Sequence, residues 1–190
     1  LLSLLLLLGY RERLLLVLLF IFYLSLYRAG QPFLNFQWDY LLLESGFLAI
    51  FLVGGPNRLV IFMYHWLLFR LRFLSGSSKI ISDDPTWSSF STLKFYFETQ
   101  PLPHIGGWYA HQLPEWILKI GTVIVLAAEL IVPFFIFLPR RWRISAALIT
   151  ITIQLGIILT SNHNFVNLLT IALCLFLLDD EWLRRYLPLR

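Results

Sequence analysis

Apolar residues run along this chain in blocks broken by short clusters of charge, aromatic residues, glycine and proline. Leu1–Leu8 reads as the tail of one span, cut off by Tyr10-Arg11-Glu12-Arg13. Leu14–Tyr27, Trp38–Val53 and Leu59–Leu74 follow, then Ile117–Leu138, Ile144–Thr160 and Phe165–Leu178. Several blocks are shorter than the roughly 20 residues a helix needs to cross a bilayer alone. They predict helices that tilt, recruit their flanks, or shelter against neighbours. Gly54-Gly55-Pro56-Asn57 predicts a tight turn. Ser161-Asn162-His163-Asn164 is a polar break, with Asn162, His163, Asn164 and Asn167 expected to cap two helices and Asn164 as an N-cap. Ser75–Glu115 is the one long polar segment. Its aromatics and prolines are too many for a floppy linker, so it predicts a structured cap outside the bilayer. Within it, Asp84-Pro85-Thr86 predicts a short helix capped by Asp84 or Thr86. The predicted fold is an all-α polytopic transmembrane bundle of five or six apolar helices. It forms a single transmembrane domain over 1–190, with an extramembrane loop at 75–115.

Composition strengthens the membrane reading. The chain is 58% hydrophobic and 14% charged, with a mean hydropathy of +0.75. Soluble domains sit nearer 45–50% apolar and about 25% charged. The chain opens on Leu inside an apolar block with no basic start or small-residue cleavage site, and the expectation is a segment of a longer protein. Its net charge of +4 comes from basic residues set among Trp and Leu at block ends, as in Pro139-Arg140-Arg141-Trp142-Arg143. That placement points to anchoring at a membrane surface and away from nucleic acid. Counting Lys and Arg on alternate sides gathers Arg11, Arg13, Arg58, Arg140, Arg141, Arg143, Arg184, Arg185 and Arg190 on the cytosolic side. Arg28, Arg70, Arg72, Lys79 and Lys94 fall on the other side with the long loop. The single cysteine, Cys174, excludes an internal disulfide and a Cys-based zinc site within the chain.

Charges inside the apolar blocks carry the candidate chemistry. A charge at the bilayer centre costs about 2.5–3.5 kcal/mol or more, so it marks a polar network or a functional cavity. Asp39 and Glu44 lie five apart in Trp38–Val53, roughly 140° from each other on a helix, so they do not share a face. Each calls for its own partner, and Arg70 and Arg72 on the next span are candidates. Glu129 stands four residues before Pro133, which disrupts the hydrogen bond to the carbonyl of residue 129 and predicts a kink beside a polar neighbour. These five residues form the predicted buried polar network. Lys79 follows Gly76-Ser77-Ser78, read as a turn at the helix exit. It reads either as a base with a suppressed charge or as an interfacial lysine whose ammonium snorkels to water. Glu98, Gln100, His104 and His111 form a candidate loop surface; Glu98 and Gln100 are expected to tie the loop to the bundle. No metal site is predicted, because the two histidines lie seven apart and no HExxH spacing is present.

Several stretches resemble the lipase maturation factor family. They are NFQWDYLLLESGFLAIFL from Asn35, WLLFRLRFLSGSSKI from Trp66, DPTW from Asp84 and FYFETQPLPH from Phe95. ELIVPFFIFLPRR from Glu129, SNHNFVNLLTI from Ser161 and the closing LLDD continue the likeness to Asp180. The resemblance implies a polytopic membrane protein. In animals it implies an endoplasmic reticulum protein that helps dimeric lipases fold and assemble, with a lipase as client. No cofactor is expected from the residues themselves. In a bacterium the plasma membrane is the expected location. The resemblance implies a large C-terminal soluble region that engages the client, expected to lie outside this segment. A second, shorter likeness covers Lys79, its helix and Trp87, which look similar to the membrane-bound vitamin K-dependent γ-carboxylase, where a lysine acts as base. Three function classes therefore stand. They are a non-enzymatic maturation factor, a carboxylase-like enzyme with Lys79 as base, and a small-molecule transporter. The transporter has intramembrane charges in its favour but no inverted repeat.

Overall fold

The computed structural model describes residues 1–55 and 57–186 and is helical, with no strand among the described residues. Pro56 of the predicted turn and the terminal Arg190 of the charge count lie outside the described residues. The chain forms two compact units, Leu1–Leu67 and Leu68–Arg190.

The first unit holds α1 (Leu2–Leu7), α2 (Glu12–Gly30), α3 (Gln37–Ile50) and the first part of α4 (Arg58–Ile81). A 3-10 turn, Gln31–Leu34, links α2 to α3. The two helices pack through aromatic pairs, Phe20 on Phe47 at 5.6 Å and Tyr27 on Tyr40 at 5.3 Å between ring centroids. Arg13 Nη2 donates to the Val53 carbonyl at 2.7 Å and ties the start of α2 to the chain leaving α3. The turn that follows uses Gly54 and Gly55 at φ of 108° and 126°, which a side chain disfavours.

The second unit continues α4 from Leu68 and adds α5 (Pro85–Ser88), α6 (Thr92–Glu98), α7 (Ile105–His111), α8 (Glu115–Leu130), α9 (Arg140–Thr160), α10 (Asn164–Cys174) and α11 (Asp180–Tyr186). α8 stops before Pro133 and passes into a 3-10 stretch, Val132–Phe137, as a proline without an N–H requires. Phe134 and Phe137 of that stretch close on Phe69 and Phe73 of α4, with centroids 5.2–5.4 Å apart. His163 occupies the cap position of α10; the side chain of Asn164, expected as the cap, lies outside the described residues.

The helices of the second unit bury polar side chains among small and apolar ones and turn mostly apolar side chains outward. α8 buries Leu118, Thr122, Leu126 and Glu129 on one face and exposes Ile120, Val123 and Ile124. α9 buries Ala146, Ala147, Thr150 and Gln154 while Leu148, Ile149 and Leu155 face out. α10 buries Asn167, Thr170 and Cys174 and exposes Phe165 and Leu168. In water this arrangement would be inverted. In lipid it is favoured, because small and polar residues join helices there while apolar side chains meet the acyl chains. Among the described residues four helical stretches are long and apolar enough to cross a bilayer, Glu12–Leu34, Arg58–Ile81, Glu115–Phe137 and Arg140–Thr160. A shorter apolar stretch, Phe165–Leu177, follows them.

α4 does not end at Leu74. It runs on to Ile81, so Ser75–Ile81, read from the sequence as the start of the loop, is helix. Gly76 is the reason. A Cβ there would lie 2.9 Å from Glu129 Cβ and from a Leu130 methyl, so glycine serves as a contact surface for α8 and not as a turn. Ser77 satisfies its hydroxyl on the Phe73 carbonyl at 2.8 Å, a bond that keeps a serine inside a helix.

Candidate functional site

The cluster is built where α4 meets the end of α8. Residues 72, 75, 76 and 79 fall on one face of α4 by the three- and four-residue helical repeat. Gly76 lets α8 approach, and the flanking polar side chains then meet Glu129. Lys79 Nζ lies 2.6 Å from Glu129 Oε2. It also donates to Ser75 Oγ at 2.8 Å and to the Ser75 carbonyl at 3.2 Å. Ser75 Oγ donates in turn to Glu129 Oε1 at 3.4 Å. Arg72 Nη2 stands 3.5 Å from the same oxygen, close enough for an ion pair though it makes no hydrogen bond there. Glu129 is 4% exposed and Arg72 6%. The indole of Trp87, from α5, covers the ammonium, with Nζ 5.5 Å from the ring centroid. Thus a buried carboxylate is flanked by two cations and a hydroxyl, and one lysine reaches all of its acceptors from within a helix.

Of the other predicted network members, Asp39 and Glu44 belong to the first unit and Arg70 to the second. Asp39, in the first unit, is buried. It accepts the Tyr23 hydroxyl at 2.6 Å and the Phe36 N–H at 3.1 Å. It thereby closes the first turn of α3, where a carboxylate also complements the helix dipole. Glu44 of α3 and Arg70 of α4 are half-buried.

The loop residues form a second arrangement, at the C-terminal end of α9. Gln100 Nε2 donates to the Thr160 carbonyl at 3.1 Å. Asn162 Nδ2 donates back to the Leu102 and Pro103 carbonyls, both at 3.1 Å. Tyr96 and Ser161 share a hydroxyl bond of 2.7 Å. His104 caps α7 by accepting the Gly106 N–H at 3.0 Å through Nδ1. Gly106 and Gly107 then lie against the last carbonyls of α9, where a Cβ would meet Leu159 O at 1.8 Å and Thr160 O at 2.8 Å. The carbonyls that a helix end leaves unpaired are thus covered by the loop. His111 Nε2 stands 3.5 Å from Glu98 Oε1. Among the described residues no group of three or more His, Cys, Asp or Glu side chains is placed to hold a metal ion.

Gln154 was not singled out from the sequence, and Asn167, expected as a helix cap, instead lies inside α10 and is buried. Asn167 Nδ2 donates to Gln154 Oε1 at 2.8 Å, joining α10 to α9. Gln154 is a single amide in an apolar block, and that isolation was the available signal. The Tyr23 partner of Asp39 was likewise hidden among the aliphatic residues of α2.

An outward-apolar helical bundle with ion pairs sealed inside it is an integral membrane protein, and the comparisons say which kind. The model of the lipase maturation factor transmembrane domain matches residues 1–185, and the chain belongs to that family. It is 45% identical to lipase maturation factor 2 of Xenopus laevis over 184 residues, covering 90% of this chain and 26% of that protein. Human lipase maturation factor 2 is 40% identical over 187 residues, covering 88% and 26%. Mouse lipase maturation factor 1 is 34% identical over 191 residues, covering 95% and 33%. The chain therefore spans a quarter to a third of the length of these relatives. No solved structure matches it.

Proposed function

We propose that this chain supplies the membrane-embedded scaffold of a maturation factor that assists the folding and assembly of secretory lipases in the endoplasmic reticulum. The observation that carries the reading is the family match across residues 1–185, whose relatives are named lipase maturation factors. The geometry of Lys79 supports it. A lysine acting as a base presents a lone pair to its substrate. Here Nζ donates to Glu129 and twice to Ser75, with Trp87 stacked over it, which is the work of an ammonium that clasps two helices. The client lipase is engaged by the assembled protein, and this segment fixes its place in the membrane.

The test is a chimera. In cells lacking lipase maturation factor 2, the segment of the Xenopus laevis relative that this chain matches is replaced by this chain. Secreted lipase activity, chimera abundance and intracellular location are then measured together. Restored secretion of active lipase from an endoplasmic reticulum chimera is the expected result. A chimera that accumulates normally there without restoring activity would overturn the proposal.

A further inference from the structure

α7 is built inside out. Gly106, Gly107, Ala110 and His111 turn toward the protein. Ile105, Trp108 and Tyr109 turn away from it, 73%, 61% and 64% exposed. Leu102 before the helix and Leu113 and Trp116 after it are exposed as well. From Thr99 to Pro114 the sequence has no Lys, Arg, Asp or Glu. A segment facing water would carry charge on this side and bury the aromatics.

The position of α7 says what covers that face. Beyond Arg140-Arg141-Trp142-Arg143 at its start, the exposed side chains of α9 are apolar apart from Thr152. The helix has 21 residues, so at about 1.5 Å per residue it is about 31 Å long. That matches the roughly 30 Å hydrocarbon core of a bilayer. Its last residues, Leu159 and Thr160, therefore sit at one edge of the core, and Gly106 and Gly107 press on their carbonyls. α8 begins at Glu115, directly after the Leu113-Pro114 turn, so the second span starts at the same level. The exposed side chains of α7 are thus held at the depth where acyl chains meet headgroups. Trp and Tyr favour that depth because the ring is apolar and the N–H or O–H reaches water.

We propose that α7 and its flanking turns lie in the headgroup boundary of the bilayer, and that phospholipid covers the Ile105, Trp108 and Tyr109 face. The loop is then a lipid-seated brace across the ends of α8 and α9. Charge is kept off it because charge would lift it away.

The protein is reconstituted in phosphatidylcholine vesicles with no other protein present. Cysteine variants Trp108→Cys and Tyr109→Cys carry a fluorophore, with exposed Asp83→Cys as the aqueous reference. Nitroxide placed near the headgroup end of the acyl chain is expected to quench positions 108 and 109 several-fold more than position 83, and iodide the reverse. Equal iodide quenching at all three positions, with no lipid quenching, would overturn the proposal and leave the face to a protein partner. The unmutated chain provides the second measurement, in vesicles containing a phosphatidylcholine with a photoactivatable diazirine in the same part of its acyl chain. Adducts mapped by mass spectrometry to Ile105–Tyr109 support the proposal. Adducts on α8 and α9 with none on Ile105–Tyr109 refute it.

Discussion

Lys79 and Glu129 meet at 2.6 Å across fifty residues of sequence, and the contact joins two candidate spans. Removing either partner leaves a charge inside the bundle. The cost of breaking a buried pair is typically about 3–5 kcal/mol, which is comparable to the whole stability of a marginal domain. In the chimera proposed above, Glu129→Ala is expected to lower protein abundance and any restored lipase secretion together, and Lys79→Ala to do the same to a smaller extent because Lys79 is more exposed. Abundance by immunoblot and secreted lipase activity from the same cells decide the matter. Normal abundance with lost activity for Lys79→Ala would restore the catalytic-base reading.

Two glycines are predicted to be intolerant for geometric reasons, and a third to be indifferent. Gly106→Ala drives a Cβ into a backbone carbonyl, so α7 must lift from the end of α9. Gly76→Ala meets the Glu129 and Leu130 side chains at 2.9 Å, and overpacking of that kind costs about 1–3 kcal/mol. Gly156 has no neighbour within 4 Å of its Cβ position, and alanine there is expected to stabilise α9 by about 0.5–1 kcal/mol. Thermal unfolding in detergent should fall for the first two variants and hold or rise for the third. An unchanged midpoint for Gly106→Ala would mean that α7 is not seated on Leu159.

Those glycines mark the boundary between what sequence pattern reveals and what it hides. The apolar blocks, the helix break before Pro133 and the Asp84 cap, which accepts the Thr86 N–H at 2.9 Å, follow from local rules and were legible. Gly76-Ser77-Ser78 has the composition of a turn. In the structure it is helix, packed at Gly76 against residues of α8 fifty positions later in the chain. Arg72 and Glu129 were visible as costly residues in apolar blocks and Lys79 as a lysine at a helix exit, but charge alone did not say which would meet. Arg72 and Lys79 share one face of α4 by helical spacing, and this could have been read. That the shared carboxylate is Glu129 depends on tertiary packing.

The Gln154–Asn167 amide pair offers a test of how polar contacts join α9 and α10. Asn167→Leu keeps the size but leaves the buried Gln154 oxygen without its donor at 2.8 Å. Interhelical hydrogen bonds in bilayers are worth about 0.6–1.7 kcal/mol. The expected loss is of that order, and Gln154→Leu combined with Asn167→Leu should recover part of it because no orphaned amide remains. A double variant that falls by the sum of the single losses would show that the two amides act independently.

A pH effect is expected outside the spans. Arg140 holds the Asp179 carboxylate through hydrogen bonds of 2.5 and 3.0 Å, and the Trp182 N–H adds a third at 2.9 Å. The charged hydrogen bond to Arg140 first, and the backbone bond second, bring the Asp179 pKa from 3.8 down to about 2. The unfolded chain therefore binds a proton at Asp179 at higher pH than the folded one. This contribution to stability is complete above the unfolded value near 3.8 and is lost as pH falls from there through about 2. Asp179→Asn can keep the carbonyl that accepts the Trp182 N–H but has no charge to titrate. The difference in thermal midpoint between wild type and Asp179→Asn is expected to be constant at neutral pH and to shrink between about pH 4 and pH 2. Arg140→Gln should abolish most of that pH dependence. A wild-type advantage that stays flat down to pH 2 would show that the Arg140 contact does not form in the folded protein.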